Sequence, residues 1–343
     1  MEILNWFGYG SYRSELEKPN KSILSLCGGG VRGVVLLYIL KEIEKRVGKK
    51  AGDIFSLTAA TSVGCIIGSL LNLKSVENPS VRQYSAEDLT RIMEPKIRQI
   101  FDVSYLNEFK TLDGNIAPKY SSDGMSSVLT ELFQETLAKD LLGDYCYTSF
   151  DTTDFKHAYF PFTSRNIKNN SLWSGLMVKE MLEGETAAPT YFSSKKIVLD
   201  RPYNIIDGAI LANEPCIIAY TEAKTVFQCG DNMTLVSIGT GEVNYHLDNT
   251  DWGALHWGSS ILPAMFSGQA STARSLCNQL LNIEGQSKKF YSVQFDLEKG
   301  HDALDDISDQ NMEYLKDVAK KWIDSEHGDA ELRELCIKLE HCY

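Results

Sequence analysis

Three short segments of this sequence carry residue types that could act on one reacting carbon. The first is Ala60-Thr61-Ser62-Val63-Gly64. A serine with small residues two before and two after it suits a nucleophile elbow, because strand and helix cross closely there. Such a turn is strained and projects the hydroxyl away from the sheet. The first small position is alanine where the elbow pattern has glycine. The competing reading is a Ser62 that caps the following helix and does nothing else.

The second segment is Cys27-Gly28-Gly29-Gly30-Val31-Arg32-Gly33. Consecutive glycines let backbone N–H groups converge on one point, helped by the positive end of the helix that follows. That cradle suits an anion, either a phosphate or the oxyanion of a tetrahedral intermediate. Its spacing also fits a dinucleotide site, which wants an acidic residue at the end of the second strand. Here that strand ends in Ala59-Ala60-Thr61-Ser62, with no acid. The dinucleotide reading is set aside.

The third segment is Asp207-Gly208-Ala209, just beyond a short apolar run. An aspartate at a strand end can face the same edge as Ser62, with both at the carboxyl ends of parallel strands. It can equally be a turn residue that bonds its own backbone. The histidines are His157, His246, His256, His301, His327 and His341, and none sits in a recognisable catalytic turn.

The elements around these segments alternate. Ser22 to Cys27 predicts a buried strand, Val31 to Val47 an amphipathic helix, Ile54 to Ala60 a strand, and Ser62 to Leu73 a buried helix. This order implies a parallel sheet with helices on its faces. Residues 75–145 read as polar and helical. Tyr145 to Phe150 and His157 to Phe162 predict strands, and Leu172 to Glu183 a helix. Asn204 to Asp207, Met233 to Ile238 and Lys289 to Phe295 predict strands. Leu255 to Leu281, Gln310 to Ile323 and Ala330 to His341 predict helices. We divide the chain into an N-terminal arm (1–21), one large domain (22–325) and a C-terminal helix (326–343).

The formal charge of −12 argues against a nucleic-acid polymer as partner, and against docking on anionic lipid by charge alone. The N-terminus lacks a basic start and apolar run, and Val63 to Leu71 is too short to span a bilayer. Cys27, Cys65, Cys146, Cys216, Cys229, Cys277, Cys336 and Cys342 are scattered without a C-x-x-C pair, as reduced, buried thiols would be. A reducing, cytoplasmic setting is the expectation.

Together these segments resemble the patatin-like phospholipases. Gly28 to Gly33 is similar to that family's oxyanion loop, Ala60 to Gly64 to its G-T-S-x-G elbow, and Asp207-Gly208-Ala209 to its D-G-[AG] motif. Pro118-Lys119-Tyr120, Ala187-Ala188-Pro189-Thr190-Tyr191-Phe192, Ala212-Asn213-Glu214-Pro215 and Ser237-Ile238-Gly239-Thr240-Gly241 follow in the family's order. The resemblance spans roughly Ser22 to Ile323. Cys27 departs from it, standing where the family usually has aspartate, and so does Ala60, standing for glycine.

The resemblance implies a three-layer α/β/α fold with a central, mostly parallel sheet and a helical C-terminal extension. It implies a lipid acyl hydrolase with Ser62 as nucleophile and Asp207 as proton acceptor, forming a Ser–Asp dyad. Gly28, Gly29, Gly30, Arg32 and Gly33 would form the oxyanion loop, with no metal or organic cofactor. The implied partner is membrane phospholipid, met by peripheral contact through residues such as Trp252, Trp257, Phe266 and the 75–110 segment. A thioesterase or acyltransferase would use the same dyad. Some bacterial members of the family are antiviral effectors switched on by cyclic nucleotides, so a small-molecule activator is a further alternative.

Overall fold

The computed structural model describes residues 20–105, 117–244 and 254–342, without the side chains of 254–260 and 262. The expected arm at 1–21 therefore lies almost wholly outside the described residues. Strand β1 (Lys21–Leu26) is followed by a tight 3-10 turn (Gly30–Arg32), α1 (Gly33–Val47), the single turn α2 (Ala51–Ile54), β2 (Leu57–Ala60) and α3 (Val63–Leu71). Then come α4 (Ala86–Ile100), α5 (Asp123–Phe133), β3 (Asp144–Tyr147), β4 (Ser149–Asp151), β5 (Phe162–Thr163), α6 (Ser164–Asn169) and α7 (Val178–Glu185). The chain continues through β6 (Lys195–Val198), β7 (Pro202–Asp207), α8 (Ala209–Ala212), α9 (Cys216–Phe227) and β8 (Met233–Ile238). It ends with α10 (Ala254–Leu281), β9 (Phe290–Val293), α11 (Asp309–Asp324) and α12 (Glu326–Glu340).

Six strands form the central sheet in the order β5-β3-β2-β1-β8-β9. All neighbours run parallel except β5, which is antiparallel to β3. Alternation along β1 splits the core in two. Leu24 and Leu26 face α1, α3, α4, α11 and α12, while Ile23 faces α9 and α10. The result is the expected three-layer α/β/α arrangement. α12 packs on α1 and α11, and its Leu332, Leu335 and Leu339 belong to the larger core.

Register fixes where the loops emerge. Leu26 of β1 pairs with Ala60 of β2 on one side and Ile238 of β8 on the other. The glycine loop, the Ser62 turn and the Gly239–Gly241 turn therefore leave the sheet side by side.

A second sheet corrects the sequence reading. β4, β7 and β6 form a separate antiparallel sheet, with Ser149 opposite Asp207. Asp207 thus ends an antiparallel strand, not a parallel strand of the main sheet as expected. In β7, Tyr203, Ile205 and Asp207 are buried and the residues between them are not, the alternation of a sheet with one covered face. The predicted strand from Tyr145 to Phe150 is two strands that change sheet at Thr148. Of His157 to Phe162 only the end is strand, with a 3-10 turn at Phe155–His157 before it. The helix expected from Leu172 begins at Val178, after a turn.

Among the described residues, no helix is long and apolar enough to cross a membrane. All eight cysteines are buried and unbridged.

Candidate active site

Ser62 occupies the turn between β2 and α3 with φ 55° and ψ −125°. A non-glycine residue held there costs on the order of 1–3 kcal/mol, so the surrounding packing must impose it. Its side chain makes no capping bond to α3, which removes the capping role. Close crossing explains the neighbouring glycine. A Cβ at Gly64 would lie 2.7 Å from the Leu26 carbonyl oxygen. Ala60 is fully buried in the larger core, and the strained turn persists with its methyl in place.

Asp207 is brought to Ser62 from the second sheet. Thr148, the residue between β3 and β4, donates its N–H to the Ala60 carbonyl at 3.0 Å and so starts β4 beside the elbow. Thr61 Oγ1 donates to the Ala212 carbonyl at 2.6 Å and lies 2.7 Å from Thr148 Oγ1. Since the Thr61 hydrogen is committed, Thr148 is the donor between the two. A Cβ at Gly208 would fall 2.2 Å from Thr148 Oγ1, so only glycine fits there. The Asp207 N–H reaches the Ala187 carbonyl at 3.1 Å, which explains the neighbouring Ala187–Phe192 segment.

The Asp207 carboxylate is buried and accepts the Ala209 N–H at 2.8 Å. The Ser62 side chain lies close enough to act on the same carboxyl. Burial pushes the carboxyl up to about 6, against the opposing pull of the Ser62 side chain and the Ala209 N–H. Asp207 is therefore a turn residue bonded to its own backbone, with the Ser62 side chain acting on its buried carboxyl.

The glycine loop lies against the serine. A Cβ on Gly28 would sit 3.2 Å from Ser62 Cβ and 2.4 Å from Asn213 Oδ1. Gly30 has φ +56°, and a Cβ there would strike the Leu304 carbonyl oxygen at 2.1 Å. Five residues were expected to make the oxyanion loop, and the structure divides them. The Gly28 N–H donates to the Asn213 carbonyl at 3.1 Å, and the Arg32 N–H to the Gly29 carbonyl at 3.1 Å. The Gly33 N–H donates to the Gly30 carbonyl. These three amides hold the loop's shape, so the Gly28 and Gly33 N–H groups are not available to an oxyanion, while Arg32 fixes the loop. Gly29 and Gly30 keep N–H groups with no acceptor among the described residues, and so does Val63.

Other side chains brace the loop. The Arg32 guanidinium donates to the Gly241 carbonyl at 2.9 Å and the Gly29 carbonyl at 3.3 Å. Thr240 Oγ1 donates to the Gly28 carbonyl at 2.7 Å. A Cβ at Gly33 would lie 2.5 Å from Val63 Cγ2, so Gly33 lets α1 approach the elbow helix. Thr148 was missed by sequence reasoning, and Val63 lay in the elbow motif with no role assigned to it. Asn213 and Thr240 lay inside motifs that had been noticed without a role.

The four histidines whose side chains are described lie elsewhere. His157 pairs with Asp154 at 2.8 Å, His301 with Asn311 at 2.8 Å, and His341 with the Ile337 carbonyl at 2.8 Å. His327 sits edge-on to Trp322. His246 lies outside the described residues, as does the side chain of His256. Among the described residues, no group of three or more His, Cys, Asp or Glu could hold a metal ion.

A strained serine, a buried aspartate and a glycine loop thus lie together at the edge of this sheet, and the sequence that carries them is similar to that of known proteins. The pattern of the family described as Patatin-like phospholipase matches residues 24–220. The chain belongs to the patatin-like phospholipase family. It is 25% identical to Patatin-like protein 4 of Arabidopsis thaliana over 89% of this chain and 83% of that one. It is 25% identical to Patatin-like protein 2 of Oryza sativa subsp. indica over 92% and 87%. Patatin-17 of Solanum cardiophyllum is 24% identical over 88% and 83%. Among solved structures, the type III effector protein ExoU aligns at 13% identity with a TM-score of 0.26, over 94% of this chain and 53% of that one. Family membership supports a lipid acyl hydrolase.

Proposed function

We propose that the chain is a phospholipase A-type enzyme that cleaves fatty-acyl esters of phospholipids through Ser62 and Asp207. What supports this reading is Ser62 held in a strained turn beside a buried aspartate whose carboxyl burial pushes to about 6. A carboxylate of that affinity accepts a proton near neutral pH and can give it back.

In the reaction so read, Ser62 Oγ attacks the ester carbonyl carbon while its proton passes to Asp207. The carbonyl π electrons move to oxygen, where the N–H groups of Gly29, Gly30 and Val63 are the donors left to receive the charge. Collapse breaks the ester C–O bond, and the departing lysolipid oxygen takes the proton from Asp207. Water then attacks the acyl-Ser62 ester, again losing a proton to Asp207, and fatty acid leaves with Ser62 restored.

Contact with a lipid surface belongs to the same reading. From Ile261 to Leu281 in α10 the only charged residue is Arg274, which turns inward onto Glu242. Ile261, Met265, Leu276 and Leu280 are exposed, and their spacing puts them on one face of the helix. α10 reaches the site, where Gln269 Nε2 donates to the Ile210 carbonyl at 2.6 Å. Phe266, one of the residues expected to meet lipid, is half-buried in the same helix. Trp252 and the side chain of Trp257 lie outside the described residues. In the 75–110 segment, Val76, Val81 and Val103 are exposed.

The test is fatty-acid release from phosphatidylcholine vesicles by the parent protein and by Ser62→Ala and Asp207→Asn. Each variant should lose roughly 10³-fold or more of turnover with the fold intact. Equal release by parent and variants refutes the proposal. Turnover of acyl-CoA with none of phospholipid would keep the dyad and change the substrate.

A further inference from the structure

The glycine loop rests on a buried charge. Cys27, the residue before the glycines, donates its thiol hydrogen to Glu214 Oε2 at 3.0 Å. Ser237 of β8 donates to Glu214 Oε1. Arg274 of α10 places Nη1 3.5 Å from Glu214 Oε2, and holds Glu242 with Nη1 at 2.7 Å and Nη2 at 3.1 Å. Glu214 and Cys27 are both buried, only 2% and 3% exposed. Removing any one partner would therefore strand a charge or a donor away from water.

The network closes on the loop from both ends. Glu242 accepts from Gln294 Nε2 at 3.0 Å, and Gln294 Oε1 accepts the Gly241 N–H at 2.9 Å. The Gly241 carbonyl in turn receives Arg32 of the loop at 2.9 Å. At the other end two adjacent residues grip two adjacent residues. The Asn213 carbonyl takes the Gly28 N–H at 3.1 Å, and the Glu214 carboxylate takes the Cys27 thiol.

We propose that Glu214, clamped by Arg274, is a positioning residue for the oxyanion donors. By holding Cys27 from below it sets the direction of the Gly29 and Gly30 N–H groups. None of the bonds described for Glu214 involves Ser62 or Asp207, so its effect falls on the transition state and not on substrate binding. Burial and the Glu214 charge together push the Cys27 thiol well above its ordinary range, so it stays a neutral donor. The arrangement also dictates which substitutions are compatible. A carboxylate at position 27 would face Glu214 across a bond of 3.0 Å, and only a neutral residue at 214 would tolerate it.

The inference rests on the hydrolase reading, and the experiment separates the two. Steady-state hydrolysis of a soluble short-chain ester is compared for the parent, Cys27→Ser, Cys27→Ala, Cys27→Asp, Glu214→Gln and the double variant Cys27→Asp with Glu214→Gln. Cys27→Ser keeps a donor and should hold kcat within about threefold, whereas Cys27→Ala should lose about tenfold in kcat with KM within about twofold. Cys27→Asp should lose about a hundredfold or more, and adding Glu214→Gln should restore about tenfold or more of that loss. Should Cys27→Asp fail to fold, the double variant is expected to fold, and the Ser and Ala variants still decide. Equal kcat for Cys27→Ser and Cys27→Ala, or a double variant no better than Cys27→Asp alone, overturns the inference. A parent whose activity survives Ser62→Ala overturns the hydrolase reading instead.

Discussion

Acidification through pH 6 should switch off ester cleavage, and the size of the effect follows from the burial of Asp207. Its carboxyl is pushed from an ordinary 3.8 to about 6, roughly 3 kcal/mol in favour of the protonated form. Only the ionised form can take the Ser62 proton, so kcat/KM should be flat above about pH 7 and fall tenfold per unit below 6. About one tenth of the plateau should remain at pH 5, and about one hundredth at pH 4. The assay is kcat/KM for a soluble ester, with released acid quantified by chromatography so that the chromophore's own titration does not intrude. The same group makes a linked stability prediction. Because its folded pKa lies above its unfolded value, the stability it contributes is complete below about pH 4 and is lost as pH climbs through 6. Asp207→Asn should match the parent's stability near pH 4 and exceed it by up to about 3 kcal/mol at pH 8. An acid limb centred near pH 4 would refute the reasoning, because it would mean an aspartate with ordinary access to water. So would a limb at pH 6 that persists in Asp207→Asn.

Two further outcomes follow from the same packing. Ser62→Gly and Ser62→Ala should both be inactive, but glycine accepts the φ of 55° without strain, so it should be the more stable of the two by about 1 kcal/mol in denaturant unfolding. Equal stabilities would mean that the turn stores no strain. Glu185, at the end of α7, is fully buried, and burial followed by the Asp207 charge holds its carboxyl well above the ordinary 4.5, against the pull of the Cys65 thiol. Its contribution to stability is complete below about pH 4.5 and is lost as pH rises beyond, so Glu185→Gln should equal the parent at pH 4 and exceed it increasingly toward pH 8. A Glu185→Gln variant less stable than the parent at pH 8 would show that the acid is ionised and paired.

The parts of the site built from local sequence are legible in the sequence itself. β1, β2 and β8 are short apolar runs stopped by glycine or a small-residue turn, and the helices after the first two repeat their apolar residues at helical spacing. Those patterns report burial directly, so the parallel sheet and the Ser62 turn followed. Asp207 was found by its place at a strand end and its Asp-Gly-Ala motif but placed in the wrong sheet. Whether β7 joins the main sheet depends on Thr148, where the backbone changes partner from β2 to β7, and no side-chain pattern marks that change. The oxyanion loop was overcounted for a related reason. Glycines announce amides that can converge, but not which are already spent, and the Gly28 N–H is taken by Asn213, far along the chain. The Cys27 thiol looked like a plain departure from the family pattern until the Glu214 carboxylate was seen beneath it.

The claim on which the rest depends is that Asp207 makes Ser62 the nucleophile. Mass spectrometry of peptides after exposure to a fluorophosphonate measures this most directly. The adduct is expected on Ser62 alone in the parent, with labelling slowed about a hundredfold or more in Asp207→Asn. An unmodified Ser62 in protein that still releases fatty acid, or labelling unchanged by Asp207→Asn, would contradict it.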